Sequence, residues 1–165
     1  MPNNNEKQIE YLQENLSSIR KIAGWTAEDL GKKIGVTKQT ISNLETFKSK
    51  MNLTQYIAIR TVLDFEIENN KNNVVLSQVV TILVDNGDDL REENYKELRD
   101  VVETTAASAT TGKKGAALNK TFTSLLNNPE IISGLVALGI AIISTTGAFD
   151  GVVKSTSNWI KKILR

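Results

Sequence analysis

The stretch Thr26-Ala27-Glu28-Asp29-Leu30-Gly31-Lys32-Lys33-Ile34-Gly35-Val36-Thr37-Lys38-Gln39-Thr40-Ile41-Ser42-Asn43-Leu44-Glu45 decides how this chain folds. Thr26, with Asp29 three places on, reads as a capping box in which Asp replaces the usual Glu or Gln. It opens a short helix with Leu30 and Ile34 inward. Gly35 sits just past that apolar stripe and ends the helix, and Thr37 caps another whose inward residues are Ile41 and Leu44.

Upstream, Ile9, Leu12, Leu16, Ile19 and Ala23 recur at the spacing of one buried helix face, and Gly24 stops that helix. Two short helices around a Gly-containing turn, packed on a first helix, make a helix-turn-helix, whose second helix is free to enter a major groove. Periodicity by itself fits a generic helical hairpin equally well.

The residues from Leu16 to Leu63 add more: Ile19-Arg20-Lys21, Gly24-Trp25-Thr26, the run Asp29 to Glu45, and Lys48. This pattern resembles the phage repressor and Cro family, also called the Xre family, over a little more than a third of the chain, residues 8–68. The resemblance implies a compact bundle of five helices, completed here by a fourth helix from Leu53 to near Leu63 and a short turn around Phe65 and Ile67. Ile57, Ala58 and Leu63 would form the fourth helix's apolar side, flanked by Tyr56 or Ile59.

The resemblance also implies roles. Lys38, Gln39, Ser42 and Asn43 match the positions that read base edges. Their chemistry suits that, because Gln and Asn pair bidentately with adenine and Lys donates to guanine O6 or N7. Thr37, Lys48 and Lys50 would contact the DNA backbone, with helix N-termini beside them. Arg20 and Glu45 match a pair that joins the first helix to the end of the third, with Arg20 a further candidate for a phosphate. The chain departs from the family at three places. Ala27 stands where many members carry a phosphate-clamping Gln, Phe47 where Gly commonly follows the recognition helix, and Gly31 where Ala is usual. Gly31 keeps the small size but costs about 1 kcal/mol of helix propensity.

Composition narrows the chemistry. The 165 residues include no cysteine and no histidine, which excludes disulfides, thiolate nucleophiles, histidine triads and Cys/His zinc sites. Expected, then, is a chain that binds, with no catalytic residues, no metal and no cofactor. Met1 to Glu10 is polar, without a basic segment leading into an apolar one, so a cytoplasmic location is expected. The net charge of +1 conceals blocks. Residues 20–50 hold seven Lys/Arg against three Asp/Glu, residues 71–103 four against eight, and residues 104–165 seven against two. A local basic patch is what a phosphate-contacting surface needs.

Beyond a 1–70 DNA-binding domain, Asn69 to Asn73 reads as a linker. Val74 to Val84 is densely apolar, a stretch that also permits a strand but whose length favours helix. Asp89 with Glu92 reads as the cap of an acidic helix to near Glu103, with Leu90, Leu98 and Val101 inward. Its carboxylates read as a solvated face, since they lack a Ca²⁺-loop geometry. Residues 71–104 are therefore the expected dimerisation region, and 105–120, rich in Thr, Ala, Ser and Gly, the expected flexible linker.

Residues 121–165 form an apolar and amphipathic helical region. Ile131 to Phe149 is 19 residues without charge, with small residues at Ser133, Ala137, Ala141 and Thr145. It just reaches the length of a bilayer span, but Ser144-Thr145-Thr146-Gly147 dilutes its second half, and a single span would place the more basic end outside. A helical self-association segment is favoured over membrane contact through 131–165.

The expectation is an all-α, sequence-specific DNA-binding transcriptional regulator, a repressor acting as a homodimer or higher homo-oligomer on double-stranded DNA. Two alternatives stand beside it. One is a membrane-associated DNA-binding protein anchored by 131–165, and the other an antitoxin-like protein that binds both DNA and a partner protein.

Overall fold

The computed structural model describes residues 4–126, 128–137 and 160, and the described residues form helices joined by turns, without a strand. Helix α1 runs Asn4–Ile22, α2 Ala27–Ile34, α3 Lys38–Glu45 and α4 Leu53–Asn69. Helix α5, Val74–Val79, continues as a π-helical segment Val80–Asp85 and a 3₁₀ turn Gly87–Asp89, before α6 Glu92–Thr110, α7 Ala116–Leu125 and α8 Pro129–Ala137.

Helix α1 is the axis of the molecule. Leu12, Leu16, Ile19, Ile22 and Ala23 are all buried, and α3, α4, α5, the π-helical segment and α6 all pack against it. One apolar cluster runs from Leu12 through Leu44, Leu63, Leu83 and Leu98 to Phe122 and Leu135.

Helix α4 opens on a capping box in which Asn52 Oδ1 accepts from Gln55 N at 2.8 Å and Asn52 N donates to Gln55 Oε1 at 3.0 Å. It does not stop near Leu63. The residues Asp64 to Asn69 contain no helix breaker, so the turn expected around Phe65 and Ile67 is instead the last part of α4, with Phe65 exposed. The buried stripe is Tyr56, Ile59 and Leu63, whereas Ile57 and Ala58 are only half-buried, which reverses the expected order of core and flank.

The apolar run after Asn73 is helical, and it is buried on every side by Val75, Leu76, Val79, Val80, Ile82, Leu83 and Val84. Asn73 sets its start, with Nδ2 donating to the Ile22 carbonyl at 2.7 Å and Oδ1 accepting from Leu76 N. The wider π-helical turn brings Asp85 to Arg60 Nη2 at 2.8 Å, and Arg60 Nε also meets Asp64 at 3.2 Å. Asp89 is not the cap of α6. It lies in the 3₁₀ turn, and Arg91, without a side-chain cap bond, precedes the helix.

Helix α6 turns its apolar face onto α1. Leu98, Val102 and Ala106 are buried, the Tyr11 and Tyr95 rings meet tilted at 48° with centroids 5.1 Å apart, and Tyr95 Oη accepts from Asn15 and donates to Glu14, each at 2.9 Å. The apolar stripes of 74–104 that suggested a dimer contact are therefore consumed within the chain. Residues 105–120 are not a linker either. Helix α6 continues to Thr110 with Thr105 and Ala106 buried, a turn at Thr111–Gly115 follows, and α7 buries Leu118. Alanine and threonine, which read as linker by composition, here give α6 a thin face that packs closely.

Of the uncharged stretch 131–149, residues 131–137 lie in α8, which buries Ile131 and Leu135 and exposes Ile132 and Val136. The rest of that stretch, and the amphipathic tail apart from Ile160, lie outside the described residues. No helix among the described residues is long and apolar enough to cross a membrane.

Candidate nucleic-acid interface

Four local devices build the reading helix. Thr26 Oγ1 accepts from Asp29 N at 3.0 Å, while Asp29 Oδ2 accepts from Thr26 N at 2.8 Å, the full capping box. The Thr26 hydroxyl, which donates to Asp29 Oδ2 at 2.7 Å, and the Thr26 backbone N–H hold the Asp29 carboxyl below its ordinary range. Gly35, at φ +75°, ends α2 in the left-handed region. Thr37 Oγ1 then accepts from Thr40 N at 3.1 Å and starts α3. Finally Ile41 and Leu44, both at 0% exposure, pin the inner face of α3 into the core.

Gly31 makes the closeness of α2 and α3 attainable. A Cβ there would lie 2.7 Å from the Val36 carbonyl oxygen and 3.3 Å from the Thr37 carbonyl carbon. The glycine thus trades helix propensity for contact between α2 and the start of α3.

On the outer face of α3, Lys38 and Gln39 are exposed and Ser42 and Asn43 half-buried. Gln39 Nε2 donates to Asn43 Oδ1 at 2.8 Å, so the two amides lie side by side one helical turn apart. That bond uses one donor of Gln39 and the acceptor of Asn43. The Gln39 oxygen and the Asn43 amide N–H groups are the complement of an adenine's N6 donor and N7 acceptor. Ser42 contributes its backbone as well, since its carbonyl accepts from Thr46 Oγ1 at 2.7 Å and from Thr46 N.

The loop after α3 is held from beneath by Gln13, a residue the sequence reading did not single out. Its Nε2 donates to the carbonyls of Leu44, at 3.0 Å, and Ser49, at 2.8 Å, and its Oε1 accepts from Met51 N at 2.8 Å. Lys48 and Lys50 are exposed on either side of the pinned Ser49. Phe47 adopts φ +58°, the left-handed conformation that favours glycine, and its ring is largely exposed. The loop keeps the backbone a glycine would give, at the cost of strain.

Arg20 and Glu45 form a two-bond pair, with Nε to Oε1 at 2.5 Å and Nη2 to Oε2 at 3.1 Å, while Arg20 Nη1 donates to the Trp25 carbonyl at 2.7 Å. The Arg20 side chain is 11% exposed. Its guanidinium makes these three bonds within the protein. Trp25 is fixed on its other side by the Lys33 ammonium, 4.7 Å from the ring centroid.

The remaining cations of this face are those of an open polar surface: Lys38, Lys48 and Lys50 are exposed, and the described residues place no carboxylate in contact with them. No curated protein and no solved structure matches the chain. Residues 16–68 match the helix-turn-helix family model, so this part of the chain is similar to helix-turn-helix domains, a likeness that supports DNA binding.

Proposed function

We propose that the chain is a sequence-specific transcriptional repressor, cytoplasmic and without catalytic activity, that binds double-stranded DNA as a dimer. Helix α3 lies in the major groove with Lys38, Gln39, Ser42 and Asn43 on base edges. Thr37, Lys48 and Lys50 contact the phosphates on either side. The observation that carries this reading is the polar face of α3, on which the paired amides of Gln39 and Asn43 stand outward from a helix capped at Thr37 and anchored by Ile41 and Leu44.

Dimerisation would pair two such helices on a two-fold site with half-sites about 34 Å apart, one turn of DNA. Its contact surface would lie away from 74–106, whose apolar side chains are turned into the chain.

Selection of bound DNA by the full chain from a random pool tests both parts. An enriched site with two-fold symmetry is the expected result. Absence of any enriched sequence would overturn sequence-specific binding, and an unsymmetric single half-site would overturn the dimer. With Gln39→Ala and Asn43→Ala together, preference should vanish while weak, salt-sensitive binding persists. Repression is checked by placing the enriched site over a promoter and measuring transcript with and without the protein.

A further inference from the structure

The helix-turn-helix match ends at residue 68, yet the turn between α6 and α7 brings two further cations to the same end of the molecule. Lys113 and Lys114 line a cleft of about 540 Å³ together with Lys21, Gly24, Trp25 and Gly115. None of the residues lining the cleft is acidic. Gly24 and Trp25 form the turn immediately before α2, the first helix of the motif, and in a helix-turn-helix that helix crosses the DNA backbone.

The lysine turn is a built feature. Gly112 and Gly115 take positive φ, +96° and +54°, and Lys113 N donates to the Ser108 carbonyl at 3.3 Å. The flanking helices are anchored by Thr105 and Ala106 on one side and by Leu118 and Phe122 on the other. The first acidic residues of α6 are remote: Glu92 and Glu93 lie at the start of a helix roughly 28 Å long, well beyond the Debye length of about 8 Å at physiological salt, and Glu103, the acidic residue of α6 nearest the turn in sequence, does not line the cleft.

We propose that Lys113 and Lys114, with Lys21, form a second phosphate-contacting site outside the helix-turn-helix domain, which extends the DNA footprint beyond the reading helix. This rests on the proposed function, since the same face must dock on DNA. Charge complementarity selects the occupant: three lysines without a facing carboxylate, adjoining the turn that meets the backbone, fit a run of DNA phosphates.

The test uses the full chain, its selected duplex and a random-sequence duplex of equal length, with affinity followed against salt. Lys113→Ala and Lys114→Ala together should make the slope of log K against log salt shallower by about 1.8, or 0.9 for each phosphate contact. The affinity loss should be equal in fold on both duplexes, and the thermal melt should be unchanged. Lys96→Ala, an exposed lysine near the start of α6, serves as the control and should leave the slope as it was. An unchanged slope in the double variant, a loss confined to the selected duplex, or an equal shift per lysine from Lys96→Ala would each overturn the proposal. Failure of the underlying reading looks different, because the unmodified chain would then bind neither duplex.

Discussion

The side-chain amide of Gln13, on α1, donates to the carbonyl of Leu44 at the end of the reading helix, 3.0 Å away. The same amide group also reaches Ser49 and Met51, so one buried side chain satisfies three backbone groups of the loop that carries Lys48 and Lys50. Truncation takes their partner from the Ser49 carbonyl and the Met51 N–H, while the Leu44 carbonyl keeps its bond from Phe47 N, in a region where Gln13 is only 5% exposed. Gln13→Ala is expected to cost about 2–3 kcal/mol in urea unfolding, since an orphaned buried polar group costs about 1–3 kcal/mol and relaxation recovers part of the sum. A loss below about 0.5 kcal/mol, the range of an ordinary surface substitution, would show that the loop does not depend on this contact.

Gly31 offers a test in which two effects have opposite signs. Alanine would gain about 1 kcal/mol of helix propensity, but its Cβ would sit 2.7 Å from the Val36 carbonyl oxygen, a backbone atom that moves only if the turn into α3 moves. Crowding of this kind costs about 1–3 kcal/mol, so Gly31→Ala should lower the melting temperature and weaken selected-site binding more than random-sequence binding. A raised melting temperature would mean that the turn yields freely.

At Phe47 the backbone conformation, and not the ring, decides stability. The left-handed region costs a residue with a Cβ about 1–2 kcal/mol, and glycine escapes that cost at some expense in chain entropy. Phe47→Gly should therefore be about 1 kcal/mol more stable than Phe47→Ala, although both lose the same ring. Equal stabilities would show that the loop leaves φ +58° once the ring is gone.

Much of this architecture is legible in the residues, and what is not has identifiable causes. The caps at Thr26 and Thr37, the stop at Gly35 and the anchors Ile41 and Leu44 are local signals, and the structure places each where the spacing puts it. The long-range partners are harder to read. A buried Gln13 has the same one-letter signature as a solvated one, and only the position of the loop gives it three backbone partners. The thin Ala/Thr face of 104–110 reads as linker because its burial depends on α7 and α1 being close. Helix α4 runs past the end that the family resemblance implies because the local sequence contains no breaker before Asn69.

Part of the acid sensitivity should lie at the start of α2. Bonds from the Thr26 hydroxyl and backbone hold the Asp29 carboxyl low, so the cap contribution is fully present above the ordinary Asp value and is lost as pH falls through the depressed folded value. The chain has no histidine, so stability should be flat from pH 6 to 8 and begin to fall only in the acid range. Asp29→Asn keeps an acceptor for the cap and should remove this part of the acid loss, as seen in melts from pH 6 to pH 3.

Arg20 separates a structural cation from a DNA-contacting one. Its bonds to Glu45 and to the Trp25 carbonyl fasten α1 to the end of α3 and to the turn before α2, with both charged side chains nearly buried. Removal of one partner of such a pair strands the other, so Arg20→Ala should cost about 3 kcal/mol of stability, and Arg20→Ala with Glu45→Ala together less than the sum of the single changes. The salt slope of random-sequence binding should stay within about 0.3 of the unmodified chain, against about 0.9 for each lost phosphate contact. A full step of 0.9 in the Arg20→Ala slope, measured below its melting transition, would place the guanidinium on a phosphate after all.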